Sequence, residues 1–175
     1  VISADDISKK ILAGDKVVKE KIIKAFGAES FRNGEINKKY LAGKIFPDPA
    51  NVVKVNSILH PKVIKETEIL LNNHLKDNDL VFVEAALIYE ADMEFLFDYV
   101  VLITADEKIR MRRKVIPHNG ITEQDFIKRN ENQIPDEEKK KRADFVFINN
   151  GTIDELKIKA DFLILTLKGL LKVND

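Results

Sequence analysis

Three apolar runs constrain the fold of this chain more than any other feature of its sequence. They read LVFVEAALI (80–88), YVVLITA (99–105) and DFVFIN (144–149), and their apolar residues are continuous rather than alternating with polar ones. Continuous runs of this kind are typical of strands covered on both faces of a parallel sheet. Val1-Ile2 is a fourth strand candidate, and the segments between candidates have helical patterns. The sequence therefore predicts an α/β fold with helices on both faces of the sheet.

Helix-start signals divide the rest of the chain. Asp48-Pro49 places a capping acceptor before a proline, and His60-Pro61 has the same form, which predicts separate helices 49–59 and 61–75. Capping boxes are predicted where an acid follows three residues after a threonine, at Thr104, Thr122 and Thr152. The last helix is predicted to bury residues spaced three to four apart: Leu156, Ala160, Leu163, Leu167 and Leu170.

The spacing of the strands predicts a single domain with two helical excursions. About 75 residues with no good strand separate Val1-Ile2 from the next run, far more than one crossover needs. We expect a helical insertion at about 7–77 and a second excursion, a lid, at about 106–143. Both leave the carboxyl ends of strands, where open α/β sheets bind ligands. The remaining predicted elements are core strands near 1–2, 80–85, 99–104 and 144–148 and a C-terminal helix at 152–173.

Charge and cysteine content narrow the function classes. The 29 Lys and Arg balance 29 Asp and Glu, so no bulk attraction to nucleic acid or membranes is expected. The chain has no cysteine, which excludes disulfides and cysteine metal sites, and no apolar run approaches transmembrane length. We expect a cytoplasmic protein that is a monomer or small homo-oligomer, with neither nucleic acid nor a membrane as its partner.

The arginines are concentrated in one part of the chain. Five of the six fall within 33 residues: Arg110, Arg112, Arg113, Arg129 and Arg142. A guanidinium can donate two parallel hydrogen bonds to phosphate oxygens, so the cluster is a candidate phosphate site. Solvated faces of charged helices explain it equally well, and PDEEKKKR (135–142) is predicted to be such a helix.

Two carboxylates stand where predicted strands end. LVFVE ends in Glu84 and resembles the Walker B arrangement, although apolar strands also end in an acid by chance. Asp5 comes shortly after Val1-Ile2, within the segment SADD (3–6). This segment is either a capping box at the start of a helix, or it places the Asp5 carboxylate at the end of a strand as a general base. The sequence contains neither G-x-S-x-G nor G-x-x-x-x-G-K-[ST].

Four stretches in the right order resemble the dephospho-CoA kinase family of bacteria. They are VISADDISKKIL, FGAESFRNGEINKKYLAGKIFPDPANVVKVNSILHPKV, VFVEAALIYEADMEFLFDYVVLITADEKIRMRR and RNENQIPDEEKKKRADFVFINNGTIDEL. The resemblance implies a P-loop NTPase-type fold with a parallel sheet, an inserted helical acceptor domain and a helical lid. It also implies transfer of the γ-phosphoryl group of ATP, with Mg²⁺, to the 3′-hydroxyl of dephospho-CoA, the last step of coenzyme A synthesis.

The resemblance assigns roles to particular residues. Asp5 is implied to be the catalytic carboxylate, and Arg113 the lid arginine that meets the phosphates. The implied dephospho-CoA side is His60, Pro61, Leu87 and Glu90, and the implied ATP side is Arg113, Arg129, Asn149 and Gly151. Glu84, from the strand end that resembles Walker B, is the candidate Mg²⁺ ligand, through water. For His60 a helix cap and for Glu90 a surface ion pair remain open as alternatives.

The chain departs from the family pattern in three places. Pro117-His118 stand near the expected second lid arginine, and Ser3 stands where many members have Asp. The family's Gly-rich P-loop lies before the equivalent of Val1. Without the central strand that carries this loop, buried backbone groups would each lose about 1–3 kcal/mol, against a total stability of about 5–15 kcal/mol. We therefore expect the chain to be part of a longer protein.

Two other functions fit parts of the pattern. One is a different P-loop kinase, such as a nucleoside monophosphate kinase, which a panel of acceptors would distinguish. The other is a non-catalytic CoA-binding or interaction protein that lacks the P-loop, for which ATP turnover would be undetectable.

Overall fold

A computed structural model describes residues 1–115 and 122–173, and its contacts divide the chain into two units. Unit 1 comprises Val1–Phe97 and Ile127–Ile134, and unit 2 comprises Asp98–Phe126 and Pro135–Asp175. The predicted departure at Pro117-His118 lies outside the described residues. No described helix is long and apolar enough to cross a membrane.

Unit 1 is mostly helical. Its elements are β1 (Ile2–Ser3), α1 (Ala4–Gly14), α2 (Lys16–Phe26), β2 (Phe31–Arg32), β3 (Glu35–Ile36), α3 (Lys38–Ile45), α4 (Pro49–His74) and β4 (Val83–Glu84). β1 and β4 pair in parallel, with Ile2 opposite Val83 and Ser3 opposite Glu84. Parallel strands end at the same edge, so this pairing places Ser3 and Glu84 side by side.

Unit 2 contains a second parallel pair. Its elements are β5 (Val101–Thr104), α5 (Glu107–Val115), α7 (Asp136–Arg142), β6 (Phe145–Ile148) and α8 (Ile153–Val173). α6 (Glu123–Glu131) begins in unit 2 and ends in unit 1. β5 and β6 pair in parallel over four residues each. The predicted burial on both faces is not met among the described residues, since Ile103, Val146 and Ile148 are exposed.

The prediction of two helices separated at Pro61 was wrong, because α4 continues through that proline. An interior proline typically costs about 3 kcal/mol, because the ring removes one hydrogen bond and crowds the preceding turn. Packing on both sides of Pro61 offsets this cost. The first half of α4 packs on Val18, Ile22, Phe26 and Leu41, and the second half contributes Leu71 to a cluster with Ile2 and Ile7.

A hairpin lies in the stretch predicted to lack strands. β2 and β3 are antiparallel, with Phe31 opposite Ile36. The two residues between them, Asn33 and Gly34, have φ of 53° and 85°. Asn-Gly favours such a tight two-residue turn, so the RNGE segment contained the signal that the prediction missed.

The helix-start predictions differ in outcome. Asp48 caps α4 by accepting from the Ala50 N–H at 2.9 Å. Thr122 and Asp125 form the predicted reciprocal box, and the Thr152 hydroxyl accepts from the Glu155 N–H. The Thr104 prediction was wrong, because its hydroxyl instead donates to Asp136 at 2.6 Å.

The C-terminal helix α8 buries a narrower stripe than predicted. Leu163 and Leu167, one turn apart, are buried, and Leu156 is half-buried. Ala160 and Leu170 are exposed, so their predicted burial was wrong. A helix that meets its neighbours along one line buries only residues about one turn apart.

Candidate active site

A cavity of about 110 Å³ in unit 1 brings three of the predicted site residues together. Asp5, His60 and Leu87 all line it. Asp5 lies in the first turn of α1, directly after β1, and His60 projects from the middle of α4. Pro61 is not among the lining residues and is exposed.

The polar side chains of the cavity come from two helices. Nine of its lining residues are apolar and four are polar: Asp5, Ser8, Asn56 and His60. Ser8 follows Asp5 by three residues on α1, and Asn56 precedes His60 by four on α4, so each pair shares a helix face. No side chain of these four hydrogen-bonds to another described residue. Sequence reasoning missed Ser8 and Asn56, although their one-turn spacing from Asp5 and His60 was a usable signal.

His60 is half-buried, and its surroundings act on its charge in opposite directions. Burial lowers the pKa of its imidazole below the ordinary 6.5, while the carboxylates of Glu90 and Asp92 raise it. Burial is the larger effect, so the imidazole is neutral at pH 7. A neutral imidazole offers one hydrogen-bond donor and one acceptor.

Glu90 is near His60 but does not line the cavity. Its Oε1 accepts a hydrogen bond from the backbone N–H of Ile134 at 3.0 Å. The side chain of Glu90 therefore contacts the backbone of Ile134 and does not face the cavity, and its predicted contact with the substrate stays a prediction.

The ends of β1 and β4 carry two oxygen groups in contact. The Ser3 hydroxyl donates to Glu84 Oε2 at 3.1 Å, across the parallel register. The same hydroxyl accepts from the Asp6 N–H at 3.4 Å, which makes Ser3 the N-cap of α1. Asp6 pairs with Lys9 at 2.7 Å on the exposed side of the helix. Ser3 and Asp6 therefore have structural partners, whereas Asp5 is left for the cavity.

In unit 2, Arg113 meets the turn that follows β6. Its two terminal nitrogens donate to the carbonyl oxygens of Asn149 and Gly151, at 2.8 and 3.0 Å. The Asn150 side chain accepts from the Asp106 N–H at 2.8 Å, which ties the turn to the end of β5. Three residues predicted for the ATP side are therefore in direct contact.

The other clustered arginines have different neighbours. Arg110 lies 3.3 Å from the Asp136 carboxylate, which also accepts from Thr104. Arg129 stacks its guanidinium 5.2 Å from the centre of the Phe46 ring. The role of Arg129 at the phosphates of ATP stays a prediction.

The comparisons with known proteins agree with this architecture. The model of the dephospho-CoA kinase family matches residues 1–155. A dephospho-CoA kinase of Bacteroides fragilis is 34% identical over 151 residues, which are 86% of this chain and 73% of the relative. One from Chlamydia caviae is 34% identical over 173 residues, which are 98% of this chain and 85% of the relative.

Two solved structures share the fold. The crystal structure of TT1252 from Thermus thermophilus has a TM-score of 0.73 at 25% identity, covering 95% of this chain and 83% of that one. A dephospho-CoA kinase from Campylobacter jejuni has a TM-score of 0.65 at 24% identity, covering 99% and 86%. These likenesses confirm the predicted P-loop NTPase-type α/β fold. With the match over residues 1–155, they show that the chain belongs to the dephospho-CoA kinase family.

Proposed function

We propose that the protein phosphorylates dephospho-CoA with ATP and that its unit 1 cavity receives the acceptor ribose. Asp5 supports this proposal most directly. It is the one carboxylate among the lining residues, and its side chain has no hydrogen-bond partner among the described residues. The helical segment at about 7–77 is then the acceptor domain, and 106–143 the lid.

The size of the cavity fits a single ring. A volume of about 110 Å³ is of the order at which a cavity holds one ring, since an engineered cavity of about 150 Å³ binds benzene. A ribose ring fills such a space, whereas the rest of dephospho-CoA would extend outside it. Leu87 and the other apolar residues would pack on the ring, and His60 would hydrogen-bond at its edge.

Asp5 would act on the attacking hydroxyl. In the transfer, the 3′-oxygen forms a bond to the γ-phosphorus while the bond from that phosphorus to the ADP oxygen breaks. The Asp5 carboxylate accepts a hydrogen bond from the 3′-hydroxyl and takes its proton as the new bond forms. Phosphoryl transfer has a loose transition state, so orientation of the hydroxyl contributes more than basicity.

The Arg113 contacts support an ATP site in unit 2. The turn at 149–151 is proposed to hold adenine, and Arg113 braces its carbonyl groups. Arg129 is proposed at the phosphates on family resemblance alone.

The oxygen pair of Ser3 and Glu84 fits Mg²⁺. Among residues 1–115 and 122–173, no cluster of three or more His, Asp or Glu could enclose a metal. Mg²⁺ in kinases takes only one or two protein carboxylates and otherwise binds phosphate and water. Glu84, oriented by Ser3, is proposed to hold it through water. When bound, the ion neutralises charge on the phosphates.

An acceptor panel tests the proposal. The full-length protein is assayed for ADP release with ATP and dephospho-CoA, AMP or TMP, and we expect dephospho-CoA to be used fastest. Faster use of AMP or TMP would indicate a nucleotide kinase, and no turnover with any acceptor would indicate a non-catalytic homologue. We further propose a cytoplasmic location and a monomeric or small homo-oligomeric state, which fractionation and light scattering would test.

A further inference from the structure

Glu90 is hydrogen-bonded to the end of the segment 127–134, which belongs to its own unit. Its Oε1 accepts from the Ile134 N–H at 3.0 Å, and Ile134 is the last residue of unit 1 before Pro135 enters unit 2. The contact is partly buried. A proline restricts the residue before it to extended conformations. Ile134 is therefore restricted on its amino side by the hydrogen bond to Glu90 and on its carboxyl side by Pro135.

The segment 127–134 has a second attachment to unit 1. Arg129, on α6, stacks on the ring of Phe46 at the end of α3. Between these two attachments the segment is closed by its own hydrogen bonds, from Asn132 to the Lys128 carbonyl and from the Gln133 N–H to the Asn130 carbonyl. A contact at Ile134 therefore positions a folded segment rather than a loose strand.

Glu90 does not line the cavity itself, but it lies in a turn that forms part of the cavity wall. It lies in the turn between Leu87 and Ala91, two lining residues joined by a hydrogen bond from the Ala91 N–H to the Leu87 carbonyl at 3.0 Å. Met93, another lining residue, closes the same turn onto the Ile88 carbonyl. One side of this turn thus faces the cavity, and Glu90 extends from it to Ile134.

We propose that Glu90 is a positioning residue for phosphoryl transfer and not a ligand of dephospho-CoA. It ties the cavity wall to the segment 127–134 of the same unit, which carries Arg129, so that this segment is held in a fixed position at the acceptor site. The inference rests on the proposed function, in which this cavity binds the acceptor. The carbonyl oxygen of glutamine can accept the same hydrogen bond from Ile134, whereas alanine cannot.

Two substitutions in the full-length protein separate the roles. We expect Glu90→Gln to keep kcat and the KM for dephospho-CoA within about threefold of wild type. Glu90→Ala should lower kcat about tenfold or more and change that KM by less than about threefold, as expected when a positioning contact is lost. In amide hydrogen exchange, Ile134 should be protected in wild type and Glu90→Gln and exchange at least about tenfold faster in Glu90→Ala.

A matched control and the contrary results complete the test. Glu68 is exposed on α4 in the same unit, and Glu68→Ala should leave all three measurements unchanged. A rise of about tenfold or more in the dephospho-CoA KM of Glu90→Gln would make Glu90 a substrate ligand and overturn the proposal. An unchanged kcat or unchanged Ile134 exchange in Glu90→Ala would also overturn it. Should Glu90→Ala fail to fold, the KM of the isosteric Glu90→Gln decides alone. Absence of wild-type turnover would instead count against the proposed function.

Discussion

Replacing Asp5 with Asn tests the assignment on which the active site depends. The two side chains have nearly the same shape, so the nine apolar residues that line the cavity keep their packing. The substitution removes the negative charge and turns one oxygen into an amide donor. Asp5 has no hydrogen bond or ion pair among the described residues, so the substitution breaks no such contact and removes only a minor electrostatic interaction with Lys9.

The expected loss lies in the transition state. Proton removal by a positioned side chain contributes about 10²–10⁴-fold, and we expect the lower half of this range because orientation dominates a loose transfer. A decrease of about 10²–10³ in kcat corresponds to about 3–4 kcal/mol of lost transition-state stabilisation. The Asn oxygen can still accept from the ground-state hydroxyl, so the dephospho-CoA KM should change by less than about threefold.

The adjacent residue provides the control. Asp6 pairs with Lys9 and is not among the residues that line the cavity, so Asp6→Asn should keep wild-type kcat. ADP release is followed at saturating ATP while dephospho-CoA is varied. A kcat for Asp5→Asn within about threefold of wild type would refute the catalytic assignment, and so would a loss confined to KM.

Three further predictions concern other parts of the molecule. Thr67 is fully buried in α4 and its hydroxyl has no hydrogen-bond partner among the described residues, so Thr67→Val should stabilise the protein by about 1 kcal/mol in urea unfolding, with Thr67→Ser as the control that keeps the hydroxyl. Arg113→Ala removes both hydrogen bonds to the turn at 149–151 and should lower kcat and raise the ATP KM about tenfold each. A change confined to the KM for dephospho-CoA would show that Arg113 acts on the acceptor and not on ATP. The folded pKa of His60 lies below the ordinary 6.5, so the folded state binds fewer protons and stability should fall as pH drops below about 6.5. His60→Gln should remove that part of the pH dependence, and an unchanged pH profile of the melting temperature would contradict it.

Some features could be predicted because they depend on short stretches of chain. The apolar runs predicted strands that the structure places within 80–88, 99–105 and 144–149. Asp48 caps α4 through an atom two residues away. Such features need only the local pattern, since a capping side chain reaches backbone within its own turn.

Other predictions failed where distant packing outweighed a local signal. Pro61 is a helix breaker by itself, yet α4 continues because its two halves pack on separate apolar clusters. The Thr104 hydroxyl is within reach of its own turn but instead donates to Asp136, which is 32 residues away.

The sequence by itself determined the fold class, the strand-end position of Asp5 and the family to which the chain belongs, because these follow from residue patterns that repeat in order. Only the tertiary structure decided which side chains share a site. It brought Ser8 and Asn56 to the cavity with Asp5 and His60, and it paired Glu90 with the backbone of Ile134. The physical reason is that the cavity lies between segments that are far apart in the sequence but pack together in space. The partner of a side chain depends on that packing rather than on its neighbours along the chain.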